Sequence, residues 1–252
     1  MNFKDKTVLI TGGSRGIGRA TAEAFAQAGA KVAINFVKNS RAATEAIDAL
    51  EGHGHLAIKA DISNAPAAHH LVQETIKEFG RLDVLVNNAG VHTVHPIDNC
   101  TYQQWQAAWQ EAIGVNLIGA ANVSYCAAQQ MIKQGGGRIV NVSSRGAFRG
   151  EPDQPAYGAS KAGMNALSQS LAQALAKYQI FVGVVAPGFV ETDLAKEILE
   201  GPRGEGIRQQ SPLGRVARPE EVAKGVLFLA SEGTEFMTGA ILDINGASYL
   251  RS

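Results

Sequence analysis

The stretch Thr7-Val8-Leu9-Ile10-Thr11-Gly12-Gly13-Ser14-Arg15-Gly16-Ile17-Gly18 decides how the rest of the chain is read. The continuous apolar run Val8-Leu9-Ile10 reads as part of a strand buried on both faces. Residues 18–28 are rich in alanine and read as a helix, with Gly29 as its stop signal. Between strand and helix stand Gly12, Gly16 and Gly18, spaced G-x-x-x-G-x-G rather than G-x-G-x-x-G. Glycines at such a turn let the backbone approach a pyrophosphate, while the N–H groups and dipole of the helix face the anion. Alone, the same turn is also compatible with a tight strand-to-helix loop.

Working outward, short apolar runs alternate with longer amphipathic stretches. Residues 32–34 and 55–59 read as strands, separated by a helix over 41–50 that Ser40 caps. Pro66 opens a helix ending near Phe79-Gly80. Residues 84–86 form a strand that runs into Asn87-Asn88-Ala89-Gly90. A long helical region follows over about 102–134, stopped by Gly135-Gly136-Gly137. Strands at 138–142 and 181–185 flank a helix over 156–177. Residues 191–211 are polar, a helix spans 219–229, and 240–244 is the last strand. This alternation predicts βαβ units and a parallel sheet, hence an α/β fold. No linker or repeat interrupts it, so a single domain over 1–252 is expected.

The 252-residue length suits one large α/β domain. A formal net charge of zero offers no electrostatic argument for nucleic acid or an anionic membrane. The first apolar run is too short for a signal peptide, and no run of ~18 apolar residues predicts a membrane span. Cys100 and Cys126 are too few for a disulfide framework and are expected as reduced thiols in a cytoplasmic protein. The histidines fall as His53/His55, His69/His70 and His92/His95, without the carboxylates or thiols of a metal site. His92 and His95 follow the Asn-Asn-Ala-Gly turn and are candidates to line a pocket.

Tyr157 and Lys161 stand four apart at the start of a predicted helix and so share a face. A phenol titrates near 10 and is a poor acid–base group at neutral pH unless a nearby ammonium stabilises the phenolate. Bringing it close to neutrality takes about 4 kcal/mol of differential interaction. Ser144 follows a predicted strand, where its hydroxyl can hold a carbonyl oxygen as charge develops. A Tyr-x-x-x-Lys pair alone is also an ordinary surface contact.

Taken with Asp61-Ile62, Asn87-Asn88-Ala89-Gly90, Val115-Asn116-Leu117, Ser143-Ser144 and Pro187-Gly188 followed by Thr192, these elements resemble the short-chain dehydrogenases/reductases. The resemblance runs from about residue 6 to 246, in family order and spacing. It implies a Rossmann-type domain whose seven-stranded parallel sheet runs 3-2-1-4-5-6-7, with helices on both faces and a substrate lid over about 188–216. It implies Tyr157 as general acid in reduction and base in oxidation, and Lys161 as the group that lowers its pKa and bonds the nicotinamide ribose. Ser144, rather than Ser143, would hold the substrate oxygen, and Asn116 would help hold a relay water. The cofactor would run along Gly12, Ser14, Arg15, Gly16, Ile17, Gly18, Phe36, Lys38, Asp61, Ile62, Asn88, Ala89, Gly90, Pro187, Gly188, Val190 and Thr192, with Tyr157 and Lys161. No metal is implied.

NAD-binding relatives usually carry an acidic residue at the end of the second strand, on the ribose hydroxyls. Phe36 stands there, with Arg15, Lys38, Ser40 and Arg41 nearby, which favours NADP(H) over NAD(H). The alternative is that Lys38 and Arg41 are solvated surface charges. The chain is most similar to the 3-oxoacyl-[acyl-carrier-protein] reductase branch, which implies a carbonyl or acyl substrate and a homo-oligomer, tetramer or dimer. It departs from carrier-binding relatives at two places where they often have basic residues and it has Gly135 and Tyr178, the latter beside Lys177. Trp105 and Trp109 fit core, a subunit contact or a substrate entrance. Arg145 and Arg149 fit either a pocket wall or a solvated loop. A sugar or polyol dehydrogenase and a non-catalytic nucleotide sensor remain as other readings.

Overall fold

Strands β1 (Thr7–Ile10), β2 (Lys31–Phe36), β3 (Leu56–Lys59), β4 (Val84–Asn87), β5 (Gly137–Val142), β6 (Ile180–Pro187) and β7 (Ile241–Ile244) form one parallel sheet. Its order is β3-β2-β1-β4-β5-β6-β7, as the family resemblance implies. The computed structural model describes residues 1–251. Val8 lies opposite Val32 on one side and Val84 on the other, so the central strands meet apolar neighbours in register. Every residue of β1 and β4 is buried, because helices cover both faces.

The helices are α1 (Gly16–Gln27), α2 (Ser40–Asp48), α3 (Ala65–Phe79), α4 (Tyr102–Ile113), α5 (Ala120–Gln134), α6 (Gly146–Arg149), α7 (Pro155–Leu175), α8 (Asp193–Glu200), α9 (Gly204–Arg208) and α10 (Pro219–Ala230). Phe25, Ala43, Val222 and Val226, from α1, α2 and α10, pack on one face of the sheet. Leu71, Val72, Val123, Met131 and Ala172, from α3, α5 and α7, pack on the other. Chain order reverses direction between β1 and β4. A crevice therefore opens beyond the carboxyl ends of these strands, where open α/β sheets bind ligands.

Local chemistry sets the helix ends, with one correction. Asn39 rather than Ser40 caps α2: its backbone is non-helical and its side chain accepts from the Ala42 N–H, while Ser40 is already helical. Asn64 caps α3 in the same way. Thr101 and Gln104 form a reciprocal capping box at α4. The long helical region over 102–134 is not uniform. A π-helical turn, Gly114–Gly119, joins α4 to α5. Gly119 there passes so close to Ile62 that an added Cβ would lie 2.9 Å from its Cγ1. Such turns gather at functional sites, and this one carries Asn116. The polar stretch over 191–211 folds into α8 and α9.

Gly18 sets the tightness of the first strand-to-helix turn. A Cβ on it would stand 2.3 Å from the Gly12 carbonyl oxygen and 2.5 Å from Asn88 Nδ2. Gly18→Ala is therefore expected to destabilise the fold by ~1–3 kcal/mol through overpacking against backbone. Gly206→Ala is the control, because a Cβ there meets nothing within 4 Å. Equal melting temperatures for the two variants would contradict the close packing.

Candidate active site

Thr11 follows β1 and accepts at its hydroxyl from the backbone N–H groups of Asn88 and Ala89, each at 3.0 Å. The Asn88 amide donates back to the carbonyls of Thr11 at 2.9 Å and Gly12 at 3.0 Å. These bonds staple the exit of β4 to the glycine turn across the switch point. Gly12 and Gly16 have φ of 65° and 54°, a left-handed backbone that glycine adopts without strain. The N-cap of α1, Arg15, gives no side-chain cap, so side chains leave the first-turn N–H donors free. Thr192 faces this turn: a Cβ on Gly16 would lie 3.2 Å from its Cγ2.

A cleft of about 1440 Å³ runs from this turn over the sheet edge to Ser144, Tyr157 and the α8–α9 segment. Every residue expected along the cofactor lines it, as do Ser144, Tyr157 and Lys161. Asn116 does not: it is fully buried behind the cleft. Its Oδ1 accepts from the Val91 N–H at 2.8 Å, and its Nδ2 donates to the Val91 carbonyl and to Ser160 Oγ, both at 2.9 Å. Ser160 in turn donates to the Tyr157 carbonyl at 2.7 Å. Asn116 thus ties the loop after β4 to the first turn of α7. Gly90 lies between this side chain and Lys161, since a Cβ on it would sit 3.4 Å from Asn116 Oδ1 and 3.5 Å from Lys161 Nζ.

Ser143 and Ser144 diverge. Ser143 is buried and donates to the Lys161 carbonyl at 3.3 Å. Ser144 Oγ accepts from the Gly146 N–H at 3.0 Å, and both Ser144 and Tyr157 line the cleft. Lys161 is 3% exposed, and its Nζ donates to the Val142 carbonyl at 2.7 Å, 5.9 Å from the Tyr157 ring centroid. Burial pulls the Lys161 ammonium down to about 8. Lys161 was expected to lower the phenol's pKa, but in this arrangement the phenol is pushed up. Desolvation of Tyr157 dominates, the nearby Ser144 hydroxyl opposes it, and the Glu151 carboxylate adds to the rise.

Of the cations and the hydroxyl grouped around Phe36, Arg15 and Lys38 line the cleft, whereas Ser40 and Arg41 do not. Arg41 is held by Glu45 at 2.7 Å. His92 lines the cleft edge-on to Tyr157, with ring centroids 6.3 Å apart. His95 is instead a buried structural residue. Its Nδ1 donates to the Thr93 carbonyl at 2.6 Å and its Nε2 accepts from the Ala156 N–H at 3.3 Å. Trp105 and Trp109 lie outside the cleft, with Trp105 stacked edge-on against His95 at 5.4 Å. Asn39, Ser63, Glu151, Gln154 and Gln210 also line the cleft and were not singled out from sequence. Ser63 alone had a local signal, an Asp-x-Ser turn in which its hydroxyl donates to Asp61 at 2.7 Å. Among the described residues no cluster could hold a metal ion, and no helix is long and apolar enough to cross a membrane.

The bare α1 N-terminus, the left-handed glycines and the length of the cleft together fit a dinucleotide. Known proteins agree. Residues 12–247 match a family model described as enoyl-(acyl carrier protein) reductase. The chain is 37% identical over 250 residues to the 3-oxoacyl-[acyl-carrier-protein] reductase FabG of Escherichia coli, covering 99% of this chain and 100% of that one. It is 36% identical over 248 residues to the 3-oxoacyl-[acyl-carrier-protein] reductase of Synechocystis, covering 97% of each. A short-chain dehydrogenase from Burkholderia cenocepacia, crystallised in complex with NADP, superposes with a TM-score of 0.89 at 31% identity, covering 98% of this chain and 99% of that one. With the sheet order, the glycine turn and the Ser–Tyr–Lys cleft, this places the chain in the short-chain dehydrogenase/reductase family of nicotinamide-dependent oxidoreductases.

Proposed function

We propose that this protein is an NADP(H)-dependent carbonyl reductase of the 3-oxoacyl reductase type, moving a hydride between the nicotinamide and a carbonyl/secondary alcohol pair. The observation that carries the reading is Ser144, Tyr157 and buried Lys161, the last two one helical turn apart, in the cleft that also holds the glycine turn. When bound, the nicotinamide nucleotide supplies or accepts the hydride. The chain's own groups do the rest. The α1 N-terminus and Gly12, Gly16 and Gly18 hold the pyrophosphate. Asp61 and Ile62 would hold the adenine end, Asn88 to Gly90 the middle of the nucleotide, and Thr192 the carboxamide end, all of them lining the cleft. Ser144 Oγ holds the substrate oxygen, and the Tyr157 hydroxyl delivers a proton to it in reduction or takes one in oxidation. A phenol raised by burial is neutral at working pH and therefore ready to donate.

Arg15 and Lys38 flank the position of Phe36 with no carboxylate beside it on β2, which supports a 2′-phosphate there. NADPH is expected to exceed NADH in kcat/KM by ~10-fold or more, and the double change Arg15→Ala, Lys38→Ala to erase the difference. Comparable kcat/KM with NADH in the unaltered enzyme would overturn the NADP(H) preference.

The reading includes residues 188–216 as a lid, since α8 and α9 contribute Ala195, Ile198 and Ile207 to the cleft. It also includes a homo-oligomer, supported by exposed Tyr102 and Tyr125 on α4 and α5 and by exposed Phe236 and Leu250 near the C-terminus. NADPH oxidation against a β-ketoacyl thioester, a β-keto ester, an aromatic aldehyde, a diketone and a keto sugar tests the activity. Reduction of carbonyl substrates supports the reading. Alcohol oxidation of polyols alone would favour a polyol dehydrogenase.

A further inference from the structure

Arg145 follows Ser144 directly and is 3% exposed. Among the described residues, Arg15, Arg145 and Arg218 have no carboxylate within ion-pair distance, and only Arg145 of the three is buried. Its side-chain partners are neutral. Nη1 donates to Ser248 Oγ and Nη2 to Gln210 Oε1, both at 2.5 Å, and the guanidinium lies 5.1 Å from the centroid of the Phe189 ring. A guanidinium carries five N–H donors. These two bonds aim the group and leave its other donors without a protein acceptor among the described residues.

The side chain stands on the wall shared by the catalytic cleft and a smaller cavity of about 210 Å³ behind it. Its charge is poorly supported. Its pKa is lowered to about 10, chiefly by burial and secondly by repulsion from Arg149, and only Glu151 favours the cation. Glu151 is itself shared with Arg149, whose Nε stands 3.4 Å away. These three side chains sum to one positive charge on the wall of the cleft that Ser144 also lines. A buried cation without a counter-ion is unfavourable, and an anion seated against it relieves that cost.

We propose that Arg145 recognises a carboxylate carried by the substrate, so that this enzyme acts on oxo acids whose carboxylate lies a few bonds from the reacting carbonyl. The inference rests on the carbonyl-reductase reading and sharpens it. Arg145 and its partner Gln210 line the same cleft as Ser144, so a group read by Arg145 shares that cleft with the oxygen held by Ser144. That shared cleft favours a carboxylate on the substrate itself over a phosphate at the far end of a carrier arm. Guanidinium and carboxylate match in geometry, and the Gln210 and Ser248 bonds hold the fork in place.

The experiment compares kcat/KM for pyruvate, acetoacetate and levulinate with their methyl esters, using the unaltered enzyme, Arg145→Met and Arg145→Lys. The unaltered enzyme is expected to prefer at least one acid over its ester by ~10-fold or more, the scale of a charged hydrogen bond. Arg145→Met should collapse that ratio toward one, and Arg145→Lys should keep part of it. Equal use of acid and ester in all three pairs by the unaltered enzyme would overturn the proposal, and this comparison needs no variant to fold. An equal proportional loss on acid and ester in Arg145→Met would also overturn it, making Arg145 a brace between residues 210 and 248. Failure to reduce any carbonyl, a β-ketoacyl thioester included, would instead remove the carbonyl-reductase reading, and the proposal with it.

Discussion

Tyr157→Phe is expected to lower kcat by at least ~100-fold, the usual scale for losing a positioned general acid. The substitution removes one hydroxyl and keeps the ring. The edge-on contact with His92 and the backbone bond from Ser160 to the Tyr157 carbonyl therefore persist. Nucleotide affinity, read by NADPH fluorescence titration, should stay close to that of the unaltered enzyme, because the glycine turn and the β4 exit loop are untouched. The loss should appear in kcat for both directions, since the same hydroxyl gives the proton in reduction and takes it in oxidation. Near-normal turnover would refute Tyr157 as the acid. Lost NADPH binding would instead mean that the phenol shapes the nucleotide site.

Lys161→Met should cut activity by a similar factor and also alter how stability depends on pH. The folded-state ammonium titrates at about 8, against 10.5 for an unperturbed lysine, because it is buried. The sign follows from proton counting. Between these two values the unfolded chain holds a proton that the folded chain has lost, so stability from this group rises with pH through that window. Below about 8 both states are charged, and the cost of burying the charge is fully present. Methionine carries no such cost. The stability of Lys161→Met relative to the unaltered protein should therefore be most favourable near neutral pH. It should decline by about 2–3 kcal/mol toward pH ~10. Losing the bond to the Val142 carbonyl shifts both ends of this comparison alike. Chemical denaturation across the pH range reads it directly, and parallel profiles would show that Lys161 is not buried as a cation. A gain in stability coupled to lost turnover is what a functionally strained site predicts.

Much of this was legible in one dimension. The glycine turn could be read because its signal is local: glycine is favoured where a backbone must turn left-handed and pass close to another. The strands could be read because short apolar runs bounded by turn signals and alternating with longer helical stretches fit a parallel sheet covered on both sides. The Tyr157–Lys161 spacing could be read because one helical turn fixes which side chains share a face. Errors fell where two conformations differ by one hydrogen bond. Asn39 and Ser40 are both good caps, and only the backbone at Asn39 decided between them. The π turn at Gly114–Gly119 depends on the approach of Ile62 from a distant loop, which no local propensity contains.

The α/β class, the sheet order through the family resemblance and the residues expected along the cofactor could all be read in one dimension, but not that Asn116 lies behind the cleft or that Glu151 and Gln210 line it. Tertiary structure decided the charge states within it. Burial, and not proximity along α7, sets the direction of the Tyr157 and Lys161 shifts, because desolvation depends on what surrounds a group in three dimensions. The same cause separates residues that look alike in sequence. Arg41 is neutralised on the surface by Glu45, four residues on in its own helix, while Arg145 is enclosed by Gln210, Ser248 and Phe189 from distant parts of the chain. Spacing can announce an i,i+4 ion pair. A buried cation without a counter-ion is visible only when the chain has closed around it.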